Sequence, residues 1–166
     1  MKNPANRMNA VMRVFLIAIL SLSFGLSSCI RNDALVDTHQ AIAGHHWSYL
    51  NKVQIPFQIE DTTPGYNILI NLRHTADYKY SNIFFLVHIL SPDGKRSTER
   101  KEFRLALPDG EWLGKGSGNI YSYQLPYKAG YRFNKKGRYV VILEQNMRNN
   151  PLREVTDAGL RLELAK

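Results

Sequence analysis

Tyr66-Asn67-Ile68-Leu69-Ile70-Asn71-Leu72-Arg73 places Tyr66, Ile68, Ile70 and Leu72 on one side of an extended chain and Asn67, Leu69, Asn71 and Arg73 on the other. Such period-2 alternation belongs to a strand of an antiparallel sheet, with one face on a core and the other largely solvated. The pattern repeats on both sides. Upstream, Val53, Ile55, Phe57 and Ile59 alternate with polar residues, and Pro56 removes a backbone donor, which predicts an edge strand. Asp61-Thr62-Thr63-Pro64-Gly65 between the two runs has turn chemistry. Downstream, Asn82 to Leu90 is apolar on both parities, as expected of a central strand. Ser91-Pro92-Asp93-Gly94 then turns the chain.

The remaining segments read the same way. Thr98 to Leu107 carries Glu99, Lys101, Phe103, Leu105 and Leu107 on one parity and a more basic, exposed set on the other, which suits an edge that resists self-association. Asn119 to Pro126, Arg138 to Asn146 and Asp157 to Leu164 are further strands, and Asn134-Lys135-Lys136-Gly137 is a turn. Seven or eight short strands with regular turn signals predict an all-β fold: an antiparallel β-sandwich, jelly-roll-like in its arrangement.

The N-terminal segment has a different logic. Lys2, Arg7 and Arg13 precede an apolar run from Val14 that ends in small residues, the layout of a secretory signal peptide. Ser21, Ser23, Ser27 and Ser28 leave it short of the roughly 20 apolar residues of a spanning helix. Leu26-Ser27-Ser28-Cys29 resembles a bacterial lipobox, in which the cysteine is acylated and becomes the first mature residue. Cys29 is the only cysteine. Its acylation leaves no thiol for a disulfide, a thiol nucleophile or a cysteine–zinc site. The resulting division is a signal peptide over 1–28, the lipidated Cys29 with a tether over 29–44, and one sandwich domain over 45–166. A brief helix near residues 38–50 is compatible with the spacing of Leu35, His39, Ile42 and Ala43.

Removal of the signal takes three of the 22 basic residues and none of the 14 acidic ones, so the net charge falls from +8 to +5. That balance suits an anionic lipid or cell-wall setting and argues against nucleic acid.

The block Tyr66 to Tyr78, with Asn71-Leu72-Arg73-His74-Thr75-Ala76-Asp77-Tyr78 as its most distinctive part, is followed in order by Tyr80-Ser81-Asn82-Ile83-Phe84-Phe85 and Pro92-Asp93-Gly94. Trp112-Leu113-Gly114-Lys115-Gly116-Ser117-Gly118, Phe133, Lys136-Gly137-Arg138-Tyr139, Glu144-Gln145-Asn146-Met147-Arg148 and Asp157-Ala158-Gly159-Leu160-Arg161 complete the set. Together with the lipobox, this resembles the gliding-motility-associated lipoprotein family GldH of Bacteroidetes, over nearly the whole mature chain. The resemblance implies a lipoprotein required for gliding over surfaces and linked to the type IX secretion apparatus. It further implies protein partners within that machinery, while the weak acidic element Asn32-Asp33 after the cysteine favours periplasm-facing outer-membrane placement over surface display. It carries over no catalytic or ligand-binding residue beyond the acylated Cys29, and implies no cofactor and no enzymatic activity.

Among the remaining residues, Gly114-Lys115-Gly116-Ser117-Gly118 lacks the spacing of a P-loop and reads as a turn that needs positive φ. The five histidines show no metal-ligand spacing, and no serine stands in a nucleophile elbow. His74 and Asp77 beside Arg73 are the best polar cluster, and strand-end groups of this kind more often tie down loops than catalyse. Tyr78, Tyr80, Trp112, Tyr121 and Tyr123, with Tyr127 and Tyr131 nearby, are the candidate surface for a protein partner or a glycan. Core packing of these rings is the weightier reading in a small domain. A carbohydrate-binding module is the second function class, with Trp112 and Tyr121 as its test positions. A hydrolase would need converging acid and base groups that the sequence does not display.

Overall fold

Residues 34–166 are described in a computed structural model of the chain. The signal segment and Cys29 lie outside them. Eleven strands follow in order: β1 (Ala34–Ala41), β2 (His46–Trp47), β3 (Val53–Ile59), β4 (Tyr66–Thr75), β5 (Asn82–Leu90), β6 (Arg96–Arg104), β7 (Lys115–Ser117), β8 (Ile120–Tyr131), β9 (Gly137–Gln145), β10 (Leu152–Arg153) and β11 (Val155–Leu164). Every pairing is antiparallel. One sheet has the order β1-β11-β4-β8-β7 and the other β3-β9-β5-β6, while β2 and β10 form a small ribbon.

With the short strands β2, β7 and β10 set aside, eight long strands remain. The first pairs with the last (β1 with β11), the second with the seventh (β3 with β9), the third with the sixth (β4 with β8) and the fourth with the fifth (β5 with β6). This nested pairing is one long antiparallel ribbon wrapped into two sheets, which is the jelly roll. Pro56 sits on the edge strand β3, the doubly apolar β5 lies between β9 and β6, and the charged β6 forms the other edge.

The core lies between the sheets. Ile68, Ile70 and Leu72 of β4, Phe85 and Val87 of β5, Val141 and Leu143 of β9, and Leu160 and Leu162 of β11 are fully buried in one cluster. At one end Phe133 is ringed edge-on by Phe57, Tyr66, Tyr131 and Tyr139 at 4.7–5.8 Å. Trp47, carried by the β2–β10 ribbon, is buried against Phe85 and donates its indole N–H to the Asn51 carbonyl at 2.8 Å.

Two expectations are corrected here. The tether assigned to 29–44 gives way at Ala34, because Ala34–Ala41 is an edge strand paired with β11 from Glu163 to Asp157. The helix considered over 38–50 is absent from those residues, where the helical element is a single 3-10 turn, Ala43–His45. The chain enters β1 because two side chains reach it across the sheet. Asn71 Nδ2 donates to Asp37 Oδ1 at 2.8 Å and to the Thr38 carbonyl at 3.1 Å, and Arg161 pairs with Asp37 at 2.7 Å. Asn71 spans β11 because Gly159 stands between, and a Cβ there would lie 1.9 Å from the Thr38 carbonyl oxygen.

Candidate functional site: an aromatic end and a basic–aromatic groove

The predicted aromatic residues converge on a side chain, His74, in the last turn of β4. Its ring stacks on Tyr78 at 4.8 Å and Tyr123 at 5.2 Å, meets Trp112 edge-on at 4.5 Å, and lies 5.9 Å from Tyr121. The Thr75 carbonyl, 2.7 Å from Nδ1, can only accept, so Nδ1 carries the proton and Nε2 is left as the acceptor. The Tyr123 hydroxyl is 3.0 Å from that Nε2 and 3.0 Å from the Leu105 carbonyl, which also receives the Leu113 N–H. Burial lowers the His74 pKa, partly offset by the Thr75 bond, and burial holds the Tyr123 hydroxyl at about 12. These rings are a neutral, hydrogen-bonded plug.

The candidate binding surface is therefore corrected. Tyr78 (4% exposed) and Tyr123 (7% exposed) belong to the core, with the Tyr78 hydroxyl donating to the Asn82 carbonyl at 3.1 Å. Trp112 and Tyr121 are partly buried and pack on the same cluster, which removes the open stacking platform that a sugar ring would need. Tyr127 is likewise buried. The cluster of Arg73, His74 and Asp77 is not brought together. Arg73 points to the outer sheet face toward Asp157 at 3.8 Å, His74 points inward, and Asp77 is exposed with its N–H on Thr75 Oγ1. The Gly-rich stretch is corrected too. Lys115–Ser117 is strand β7 against β8, and positive φ occurs only at Gly118 within it. Gly114 is required by close approach, since a Cβ there would sit 2.5 Å from the Tyr123 ring.

Tyr80 lines an open groove, of about 430 Å³, with Phe84, Arg100, Asn146, Met147 and Arg148. The Arg100 guanidinium lies 3.8 Å above the Phe84 ring and donates through Nε to Asn146 Oδ1 at 2.7 Å. Loop and strand are locked together because Phe84 N–H reaches Met147 Sδ at 3.3 Å and Asn146 N–H reaches the Phe84 carbonyl at 2.8 Å. Tyr, Phe, Met and Arg are the residue types enriched where protein surfaces meet. Phe84, Arg100 and Met147 were not singled out from the sequence. The available signal was the double-sided apolarity of β5, which left Phe84 and Leu86 on a face that no second layer covers fully.

Among the described residues no helix is long and apolar enough to cross a membrane, and no group of three His, Cys, Asp or Glu side chains is placed to hold a metal ion.

No solved structure matches the chain. A curated relative from Christiangramia forsetii, a "Gliding motility lipoprotein GldH homolog", is 33% identical over 163 residues, covering 94% of this chain and 98% of the relative. The "Gliding motility lipoprotein GldH" of Flavobacterium johnsoniae is 30% identical over 159 residues, covering 92% and 98%. The family model described as GldH lipoprotein matches residues 34–162, from the start of β1 to within β11. The chain belongs to the GldH lipoprotein family.

Proposed function

We propose that this chain is a non-enzymatic scaffold, held to the periplasmic face of the outer membrane by acylated Cys29, which docks a protein of the gliding and type IX secretion-associated assembly through the Tyr80–Arg148 groove. Kinship to two curated gliding motility lipoproteins supports the process. The observation that carries the docking role is the groove itself. Ala34 pairs with Glu163, at the Tyr66 end of β4, where Leu35 and Leu164 are exposed. From Tyr66 to Thr75, β4 runs roughly 30 Å to the opposite end of the sandwich, and Tyr80 lies beyond it. The described chain thus starts at one end of the sandwich, and the groove stands at the other. Its guanidinium, aromatic, thioether and amide groups bind rather than transfer protons, and Arg100 and Arg148 favour an acidic and apolar partner segment.

The test compares wild type with Arg100→Glu/Arg148→Glu and with Tyr80→Ala, each cross-linked in cells and recovered with the motility and secretion proteins. The reading expects those proteins to be lost from both variants while membrane attachment persists, and Cys29→Ala to leave the membrane fraction. Retention of the same partners by both groove variants overturns the docking site. Membrane retention of Cys29→Ala overturns the lipid anchor.

A further inference from the structure

A second groove, of about 570 Å³, lies on the outer face of the five-stranded sheet and takes no part in the docking role above. Its floor is set by register. One row across the strands is His39, Gly159, Asn71 and Gln124, and the next is Asp157, Arg73, Ser122 and Lys115. Gly159 and Ser122 leave the floor low between longer neighbours, and Arg104 and Leu113 form part of the rim. Three cations and a histidine line the groove, and Asp157 beside Arg73 is the carboxylate in the floor rows. Arg104 and Lys115 have no carboxylate within 4.0 Å among the described residues, and Arg73 holds Asp157 only at 3.8 Å. The Asn71 side chain is fully buried at the floor. Its Nδ2 is committed to Asp37 and Thr38, which leaves Oδ1 an acceptor without a partner.

We propose that this groove binds a carboxylated oligosaccharide, a chain of uronic-acid type. The lining asks for two things at once: an anion for Arg73, Arg104 and Lys115, and hydroxyl partners for the exposed Gln124 amide and the Ser122 hydroxyl. An acidic sugar brings both along an extended chain, whereas inorganic phosphate brings its charge and at most one or two P–OH donors at a single point. The floor strands β11 and β4 are paired on both sides, whereas β7 covers β8 only from Ile120 to Ser122, so an acidic peptide added along the β8 edge is the competing occupant that polyglutamate tests. The planar amide and guanidinium suit paired sugar hydroxyls and a carboxylate, and the volume lies within the ordinary range of ligand sites.

The mature acylated protein, in neutral detergent at low salt, is titrated calorimetrically with galacturonate oligomers, a neutral galactose oligomer of equal length, inorganic phosphate and polyglutamate. The expected result is saturable binding of the galacturonate oligomer, at least about tenfold weaker for each of the other three. Arg104→Ala/Lys115→Ala, both at exposed positions, and separately Arg73→Gln, each weaken it by about tenfold, as loss of a charge-assisted hydrogen bond does. Arg148→Ala leaves it unchanged. Polyglutamate or phosphate binding as tightly as galacturonate shows simple charge attraction and overturns the proposal. Equal binding of the neutral oligomer, no galacturonate binding at all, or undiminished affinity in both groove variants does so as well.

Discussion

Replacement of Gly159 by alanine probes how β1 is held. A Cβ at this position would stand 1.9 Å from the Thr38 carbonyl oxygen, 2.8 Å from the Thr38 carbonyl carbon and 2.9 Å from His39 Cα. All three are backbone atoms, so no side chain can swing away. Carbon and oxygen sit comfortably at about 3.4 Å or more, so β1 must retreat by roughly 1.5 Å, which carries nearby N–H···O bonds beyond useful length. The retreat also breaks the two bonds from Asn71 to Asp37 and Thr38. Two backbone bonds at about 1 kcal/mol each, one neutral side-chain bond at about 1 and one to a carboxylate at about 1.5 sum to an upper figure near 5 kcal/mol. Partial relaxation brings the expected loss to about 3–4 kcal/mol, a fall in Tm of roughly 10–15 °C for a domain of this size. Thermal unfolding by circular dichroism and amide exchange across Val36–Ala41 measure both. A Tm within about 3 °C of wild type, with β1 amides still protected, refutes the steric reasoning. Gly110→Ala is the contrast: its φ of +92° is strained for alanine but nothing lies within 4 Å, so it costs only about 1 kcal/mol.

Tyr123→Phe removes the hydroxyl that donates to the Leu105 carbonyl and stands 3.0 Å from His74 Nε2, and the unfolding free energy from urea titration should fall by about 1–3 kcal/mol, with the fold retained. Trp47→Ala should cost about 3–5 kcal/mol in the same assay, because the indole is fully buried against Phe85. Acid should weaken the domain early. Burial depresses the pKa of His74 and, with help from Arg96, that of His88, so the unfolded chain takes up these protons first. Their stabilising contribution is complete above the unfolded value of about 6.5 and declines as pH falls below it. The urea midpoint should therefore drop between pH 7.5 and 5, above the range where carboxylates titrate, and His74→Asn should flatten that drop.

Much of the sandwich was legible because strand faces differ in polarity. The alternation of β3 and β4, the doubly apolar β5 and the charged β6 map directly onto edge and central places in the two sheets. Strand β1 was not legible. Its Leu35-Val36-Asp37-Thr38-His39-Gln40 run is mostly polar, and it is ordered by partners from far along the chain: β11, Asn71 and Arg161. The aromatic residues were found, and core packing, the weightier reading, holds for Tyr78, Tyr123 and Tyr127. Period 2 says that Tyr121 and Tyr123 share a face, yet cannot say which face. The buried choice depends on hydroxyl partners such as the Leu105 carbonyl, more than a dozen residues away. Both grooves depend on register between strands distant in sequence, such as Asn71 opposite Gln124 or Arg100 reaching Asn146, which no single stretch displays.

The docking claim is tested most directly by a photoactivatable residue at position 148, irradiated in living cells, with position 58 on the outer face of β3 as the comparison. The account predicts a discrete protein adduct from position 148, containing a motility or secretion component, and its disappearance when Tyr80→Ala is added. An equal adduct from position 58, or one from position 148 that persists with Tyr80→Ala, would contradict it.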